Sequence, residues 1–194
     1  GPVAEDLTVI SSPLDAYGVN YYNPTLVGMP GSPGTEAARG AVPDQQVQLT
    51  VPEGIPFDLV PVTAREYTAF GWPVAPEGLT EVLVQLRDRY GDRLPPVHVT
   101  ESGCSTDDVV EDGTVHDEAR IRYLDRHLEA VAAAIDAGVD VRGYFVWSLL
   151  DNFEWAEGYT QRFGLVRVGA DQERTPKDSY AWLRDRTRTL RSSG

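Results

Sequence analysis

The sequence is poor in cysteine, and this scarcity excludes one class of protein. Cys104 is the single cysteine among the 194 residues, so the chain cannot form an internal disulfide. Small secreted domains usually depend on several disulfides, whereas a lone thiol is typical of a reducing compartment. Residues 1–9 also lack the basic start and the apolar core of a signal peptide. We therefore expect a cytoplasmic location.

The sequence is also poor in basic residues and in long apolar runs. Seventeen Lys and Arg face thirty Asp and Glu, which gives a formal net charge of −13 at pH 7. Such an acidic chain repels phosphate backbones, so nucleic acid is not an expected partner. No apolar run approaches the roughly 20 residues that a membrane-spanning helix needs, so a membrane is not an expected partner either.

Short apolar segments alternate with helical patterns three times along the chain. Each segment is rich in Val, Tyr, Phe or Trp and is apolar enough to predict a strand that is buried on both faces. Residues suited to helix starts accompany the helical patterns: Pro76 for the first, Asp117 for the second, and Thr175 with Pro176 for the third. The alternation predicts an α/β fold with parallel strands. The predicted strands lie near 16–22, 97–101 and 143–149, and the predicted helices near 77–90, 117–137 and 177–190.

Two long connections and one strand end are candidate places for chemistry. Residues 23–75 are rich in Gly and Pro, and residues 151–176 are dense in aromatic and charged side chains. Barrel enzymes carry their active sites in long loops that follow parallel strands. Glu101 ends the second strand, where a carboxylate can act as a nucleophile or a base. The same position also fits a helix-capping or ion-pairing glutamate.

Aromatic residues around the end of the third strand indicate a second candidate. Trp147, Glu154, Trp155 and Tyr159 lie close together in the sequence. Aromatic faces stack on the C–H surfaces of sugars, and a carboxylate can hydrogen-bond two neighbouring hydroxyls, so this mixture suits a carbohydrate subsite. A loop that is held together by aromatic packing has the same composition.

Five sequence motifs, taken in order, are more specific than any of these single features. They are GVNYYNP (18–24), GWPVAPEGL (71–79), VTESG (99–103), YFVWSLLDNFEWAEGYTQRFGL (144–165) and RTPKDSYAW (174–182). In this order and spacing they resemble the C-terminal part of family 1 glycoside hydrolases, the retaining β-glucosidases and their relatives. The resemblance covers nearly all of the chain. It departs from the family at Ser102, where Asn is usual, and we expect a modest effect from that change.

The resemblance implies a role for each matching residue. Glu101 would be the nucleophile that forms a covalent glycosyl–enzyme intermediate, Tyr22 would hydrogen-bond its carboxylate, and Asn20 would lie near the sugar 2-hydroxyl. The sugar-binding residues would be Trp147 as the floor of the glycone site, Glu154 as a bridge between two glycone hydroxyls, Trp155 and Phe163 to complete that site, and Trp72 beside the aglycone. The implied substrate is a β-glucoside or an oligosaccharide, and no cofactor is implied.

The chain lacks the second catalytic motif of the family, and its histidines and cysteine predict no other site. Retaining glycosidases need a second carboxyl group as acid and base, which in this family lies in an Asn-Glu-Pro motif, and the sequence contains no Asn-Glu-Pro. The three histidines, His98, His116 and His127, are too scattered to predict a metal site. Cys104 has no neighbouring histidine in the sequence and is not an expected nucleophile.

The predicted architecture is a sector of a (β/α)8 TIM barrel. Eight strands close such a barrel, and this chain supplies about three, which correspond to strands six to eight with their helices. We therefore expect residues 1–194 to be one incomplete domain that pairs with the N-terminal half of the barrel, in cis or in trans. Three functions remain open on the sequence: the nucleophile-bearing part of a β-glucosidase, inactive alone; a carbohydrate-binding remnant without turnover; and an assembly fragment without activity.

Overall fold

The structure, a computed structural model, describes residues 3–30 and 54–192. The part of the predicted connection 23–75 that spans 31–53 lies outside the described residues. In chain order the elements are α1 (Ala4–Ile10), β1 (Tyr17–Asn20), β2 (Leu26–Gly28), β3 (Asp58–Val60), α2 (Pro76–Tyr90), β4 (Val97–Ser102), β5 (Val109–Glu111), β6 (Thr114–His116), α3 (Glu118–Asp136), β7 (Val141–Val146), β8 (Val166–Val168), β9 (Arg174–Pro176) and α4 (Asp178–Ser192), with 3₁₀ turns at Gly91–Arg93 and Trp155–Glu157.

The centre of the fold is a parallel sheet of three strands in the order β1–β4–β7. Helix α2 lies between β1 and β4 in the chain, and helix α3 lies between β4 and β7. The predicted parallel α/β arrangement is therefore confirmed. The third strand ends at Val146, so the predicted strand residues 147–149 belong instead to the loop that follows it.

Helices α2 and α3 cover one face of the sheet and form the core with it. Val19, Val97 and Val99 point from the strands into this core, where Leu79 and Leu83 of α2 are fully buried. The prediction of burial on both faces is wrong for the described residues, because Gly18, Asn20, Thr100 and Phe145 on the alternate positions are exposed. Side chains alternate between the two faces of a strand, so helices on one face bury only every second residue.

The last helix begins later than its sequence predicts. Thr175 and Pro176 do not cap it, because both lie in strand β9, which pairs with β8 in an antiparallel hairpin. Helix α4 starts at Asp178. Two further antiparallel strand pairs, β2–β3 and β5–β6, lie in the connections and are not predicted by the sequence patterns. Such short antiparallel pairs depend on contacts with the rest of the fold, which a local pattern does not contain.

The other predicted helix starts have mixed outcomes. Pro76 is the first residue of α2, as predicted. Asp117 precedes α3, yet its side chain makes no capping hydrogen bond there. Its carboxylate instead accepts bonds from the backbone N–H and the hydroxyl of Ser179 and contacts Arg120. Among the described helices, none is long and apolar enough to cross a membrane.

Candidate active site

The candidate site begins with a carboxylate and a phenol at the carboxyl ends of two neighbouring strands. Glu101 lies near the end of β4, and a register shift after Val19 places Asn20 of β1 directly opposite it. The backbone N–H of Tyr21 donates to the carbonyl of Glu101, which continues this pairing by one residue. Tyr22 then donates its hydroxyl to Glu101 Oε2 at 2.8 Å. The structure therefore contains the hydrogen bond from Tyr22 to Glu101 that the resemblance implies.

The phenol of Tyr22 is held in its protonated, donating form. Burial, the hydrogen bond to Glu101, and the negative charges of Glu101 and Glu154 all raise the pKa of Tyr22 above its ordinary value. A phenol in this environment does not ionise at neutral pH, so it keeps its proton for the carboxylate. The charge of Glu154 is therefore felt at the Tyr22 hydroxyl.

Asn20 has a defined position beside Glu101. Its Oδ1 accepts a hydrogen bond of 2.7 Å from Thr100 Oγ1, which lies immediately before Glu101 in β4. Both side chains are on the exposed face of the sheet. The site therefore faces the side of the sheet that is opposite to the helical core.

Two aromatic rings pack against the ring of Tyr22. The ring centroid of Tyr22 lies 5.5 Å from that of Trp72 and 6.4 Å from that of Phe163, both in edge-to-face geometry. Trp72 also packs against Phe70 at 4.6 Å. Phe163 is only 2% exposed, so it presents little surface to a ligand and acts here as packing for Tyr22. We call Tyr22, Trp72, Glu101 and Phe163 the nucleophile side, after the role that the resemblance implies for Glu101.

The remaining predicted residues lie in the segment after β7, residues 147–159, which we call the aromatic loop. The N–H of Trp147 donates to the carbonyl of Ser102 at 2.9 Å, so the loop starts beside the residue that follows Glu101. A Cβ at Gly103 would overlap the carbonyl oxygen of Trp147. Only glycine permits this close approach, which explains its place after the glutamate. The side chain of Trp147 is 38% exposed.

Glu154 and Trp155 occupy the far part of the aromatic loop. Partial burial raises the pKa of Glu154 above its ordinary value, and the charge of Glu157 raises it further. Trp155 has a positive φ of 37° and is 86% exposed. Among the described residues, no ring contact joins Trp155 to the other aromatic site residues. The structure therefore brings six of the eight predicted residues close to Glu101 or to each other, whereas no hydrogen bond or ring contact joins the side chains of Glu154 and Trp155 to these six among the described residues.

A buried layer behind the strands holds the nucleophile side in place. Tyr123 donates its hydroxyl to the carbonyl of Tyr22 at 3.2 Å, and the ring of His127 stacks on Tyr123 at 3.8 Å. Burial lowers the pKa of His127 to about 4, so this imidazole is neutral. Burial raises the pKa of the Cys104 thiol to about 12, which makes it a poor nucleophile.

Sequence reasoning missed a buried ionic cluster beneath the two loops. Asp151, Lys177 and Asp108 meet there, with side chains at most 4% exposed. The signal that could have found them is that Lys177 is the only lysine in the chain and that Asp151 follows an apolar segment. In the described part of the chain, no group of three His, Cys, Asp or Glu side chains could hold a metal ion.

Fold and site together define a class of protein: a sector of a (β/α)8 barrel with a tyrosine-held carboxylate at the carboxyl ends of its strands. Residues 3–190 match the sequence profile of Glycosyl hydrolase family 1. The chain belongs to this family.

Curated relatives agree with the assignment. The bifunctional β-D-glucosidase/β-D-fucosidase of Bifidobacterium breve is 47% identical over 92% of this chain, and β-glucosidase A of Thermotoga maritima is 42% identical over 92%. This chain spans 38% and 35% of the lengths of these two proteins.

Solved structures match in the same way. The GH1 β-glucosidase from Exiguobacterium antarcticum B7 superposes on 98% of this chain with a TM-score of 0.82 and 34% identity. The virulence factor SghA from Agrobacterium tumefaciens superposes on 94% with a TM-score of 0.79 and 38% identity. The chain covers 38% and 37% of these structures, respectively, so the likeness extends to a sector of each. The predicted family and barrel sector are confirmed.

Proposed function

We propose that this chain carries the nucleophile of a retaining β-glucosidase, and that this nucleophile is Glu101. The observation that carries the proposal is the 2.8 Å hydrogen bond from the Tyr22 hydroxyl to Glu101 Oε2 at the carboxyl end of β4. Carboxylates at these strand ends do the chemistry of (β/α)8 enzymes. The glucosidase names of the relatives support the reaction class.

The proposed first step is a displacement at the anomeric carbon. The free oxygen of Glu101 forms a bond to C1 of the glucosyl residue, while the bond from C1 to the aglycone oxygen breaks and its electron pair leaves with that oxygen. Tyr22 orients the carboxylate during this attack. In the second step, the oxygen of a water molecule forms a bond to C1 while the bond from C1 to Glu101 breaks and its electron pair returns to the carboxylate. A base takes a proton from this water, and glucose is released.

Sugar recognition is proposed for the exposed face around this carboxylate. Asn20 would contact the 2-hydroxyl, Trp147 would floor the glycone site, and Glu154 would bridge two hydroxyls of the glucosyl ring. Trp155 would complete the site and Trp72 would flank the aglycone. The partial burial of Glu154 supports its part, because hydrogen bonds to a desolvated carboxylate are strong.

A second carboxyl group is needed for turnover. The sequence has no Asn-Glu-Pro, so we propose that the acid and base comes from the N-terminal half of the barrel, in cis or in trans. By itself the chain would then form a glycosyl adduct at most once, from a substrate whose leaving group needs no proton. The cytoplasmic location stays a prediction.

The test uses 2,4-dinitrophenyl 2-deoxy-2-fluoro-β-glucoside, whose phenolate leaves without an acid. After incubation, peptide mass spectrometry locates the sugar. We expect one fluoroglucosyl group on Glu101 and none in Glu101→Gln, whereas the control Glu129→Gln, an exposed residue of α3, reacts like the unaltered chain. Reaction at another residue, or equal labelling of Glu101→Gln, would overturn the assignment.

Turnover separates the proposal from its alternatives. The purified chain should release glucose from cellobiose only when mixed with the part of the Bifidobacterium breve relative that it does not match. Steady hydrolysis by the chain alone would show a second catalytic carboxylate in these 194 residues. Glucoside binding without any adduct, even in the mixture, would favour a carbohydrate-binding remnant.

A further inference from the structure

Lys177 is the only lysine in a chain of 194 residues, and it is buried. Its Nζ lies 2.7 Å from Asp108 Oδ2 and donates a hydrogen bond of 3.0 Å to Asp151 Oδ1. Burying an ammonium group is costly unless anionic partners compensate for the lost water. The two aspartates are those partners, so Lys177 is a bridge between them.

This bridge joins two different loops of the candidate site. Asp108 lies in the loop that follows β4, the strand that carries Glu101. Asp151 lies in the aromatic loop, shortly before Glu154. Lys177 itself precedes helix α4, and its backbone N–H is bonded to the carbonyl of residue 165. The ammonium thus ties the loop that follows the strand of the carboxylate to the aromatic loop.

The charges around the bridge are balanced in pairs. Arg162 lies 3.4 Å from Asp151 Oδ2, and Arg120 contacts Asp117 within the same buried region. Neither pair includes Lys177, although Arg120 also lies 3.5 Å from Asp108 Oδ1. The cluster as a whole contains three carboxylates and three cations: Asp108, Asp117, Asp151, Arg120, Arg162 and Lys177.

Asp151 connects the bridge to the candidate site through hydrogen bonds to the backbone beside Phe163. Its Oδ1 accepts a hydrogen bond of 2.9 Å from the N–H of Gly164, next to Phe163, and its Oδ2 accepts one of 3.4 Å from Val168. A Cβ at Gly164 would overlap the backbone nitrogen of Asp151, so the backbone segments at residues 151 and 164 approach as closely as only glycine allows. Phe163 in turn packs on Tyr22.

We propose that Lys177 is a positioning residue of the candidate site, which fixes the aromatic loop, and Glu154 with it, relative to the strand that carries Glu101. This inference rests on the proposed function, since it assigns Glu154 to sugar binding. Lysine suits the task because its ammonium presents three donors, which can serve two carboxylates at once. Misplacement of a binding group by about 1 Å can cost about 10²-fold in rate or affinity.

The main variant removes the bridge without leaving an unpaired charge. Asp108→Asn with Lys177→Met deletes one anion and one cation, and both remaining pairs of the cluster keep their partners. The matched control, Asp140→Asn with Arg142→Met, makes the same chemical change in an exposed pair at the opposite end of β7. Both are compared with the unaltered chain in their reaction with the fluoroglucoside.

The readout is the dependence of adduct formation on reagent concentration. The bridge variant should need about 10-fold more reagent for half-maximal rate, while its limiting rate stays within about 3-fold, because Tyr22 and Glu101 do not touch the bridge. The control should change neither quantity. An unchanged half-saturating concentration overturns the proposal. The proposal is also overturned if the limiting rate falls by the same factor as the half-saturating concentration rises, since Lys177 would then stabilise the fold rather than the sugar site.

The single lysine offers a second readout on the unaltered chain. Acetylation by an N-hydroxysuccinimide ester can modify only Lys177 and the α-amine, and buried Lys177 reacts when the loop opens. Because coupling is reciprocal, the fluoroglucosyl adduct should slow acetylation of Lys177 about 5-fold or more. An equal rate with and without the adduct overturns the proposal.

Hydrogen exchange separates failure of this inference from failure of the proposed function. If the unaltered chain forms no adduct, the proposed function alone is contradicted for the chain by itself. The placement is then tested by the amides of Gly164 and Val168, which should exchange about 10-fold faster in the bridge variant while the central-strand residue Val99 is unchanged. Unchanged exchange at Gly164 overturns the positioning role in every case.

Discussion

The nucleophile side and the aromatic loop meet at one site, yet they are built differently. Glu101 lies on β4 and Tyr22 lies just after the neighbouring strand β1, and Phe163 packs against Tyr22 with only 2% of its surface exposed. Trp155 in the aromatic loop is 86% exposed and Phe153 is 62% exposed. The carboxylate is thus positioned by the sheet and its core, whereas Glu154 and Trp155, two of the proposed sugar contacts, lie in a loop that contacts the ionic cluster through Asp151.

The largest expected effect is on the free energy of unfolding, and it distinguishes Phe163, beside Tyr22, from Phe153 in the aromatic loop. Phe163→Ala should lower the free energy of unfolding by about 3–5 kcal/mol, because it leaves a cavity behind Tyr22 and Trp72. Phe153→Ala should change it by less than about 0.5 kcal/mol, since that ring is 62% exposed. Urea unfolding followed by circular dichroism measures both. Equal destabilisation would mean that the aromatic loop is packed as firmly as the nucleophile side.

A pH titration tests the buried layer behind the nucleophile side. Burial lowers the pKa of His127 to about 4 from an ordinary 6.5, so between these values the unfolded chain binds a proton that the folded chain does not. The free energy of unfolding should therefore fall by about 3 kcal/mol as the pH is lowered from about 6.5 to about 4. His127→Leu should remove this part of the pH dependence, as measured by urea unfolding at each pH.

The exposed His116 is the matched control, and its shift has the opposite sign. A 2.6 Å contact with Asp178 raises the pKa of His116. The stability that this pair contributes is present below the ordinary pKa of histidine and is lost as the pH rises through the raised value. His116→Gln should therefore leave the slope between pH 4 and 6.5 intact. A loss of that slope in His116→Gln would contradict the assignment to His127.

The hydrogen bond within the nucleophile side should affect the rate of reaction. Tyr22→Phe keeps the ring packing and removes the donor to Glu101, so the limiting rate of fluoroglucoside adduct formation should fall about 10- to 100-fold. The half-saturating concentration should change little, because the sugar contacts remain. Tyr159→Phe, in an exposed tyrosine of the aromatic loop, should react like the unaltered chain. A normal rate in Tyr22→Phe would remove the proposed role of that hydroxyl.

The smallest expected effect lies in the aromatic loop and appears in affinity. Glu154→Gln should raise the half-saturating fluoroglucoside concentration about 10-fold and leave the limiting rate within about 3-fold, because it weakens hydrogen bonds to sugar hydroxyls. Glu157→Gln, three residues on in the same loop, should leave both quantities nearly unchanged. If Glu157→Gln had the larger effect, the sugar contact would have to be reassigned.

The sequence predictions were accurate for features that local patterns determine and failed for features that depend on contacts in the folded chain. Alternating apolar residues and amphipathic helices are local patterns, and they predicted the three parallel strands and their helices within a few residues. The contact between Tyr22 and Glu101 was expected from a different source, because it is implied by the resemblance of GVNYYNP and VTESG to the family's motifs. The hairpins were not predicted, since Thr175 and Pro176 suit a helix start by local preference and pair with β8 only in the folded chain.

By itself, then, the sequence determined the order of strands and helices, the end of the sheet at which the polar residues gather, and membership of glycosyl hydrolase family 1. Only the tertiary structure decided that Phe163 packs behind Tyr22, that Asp117 binds Ser179 rather than its own helix, and that Lys177 joins Asp108 to Asp151. The physical reason is the separation along the chain between the residues that interact. Periodicity and capping act over a few residues, whereas a buried charge finds partners wherever the fold brings them, here from three separate loops.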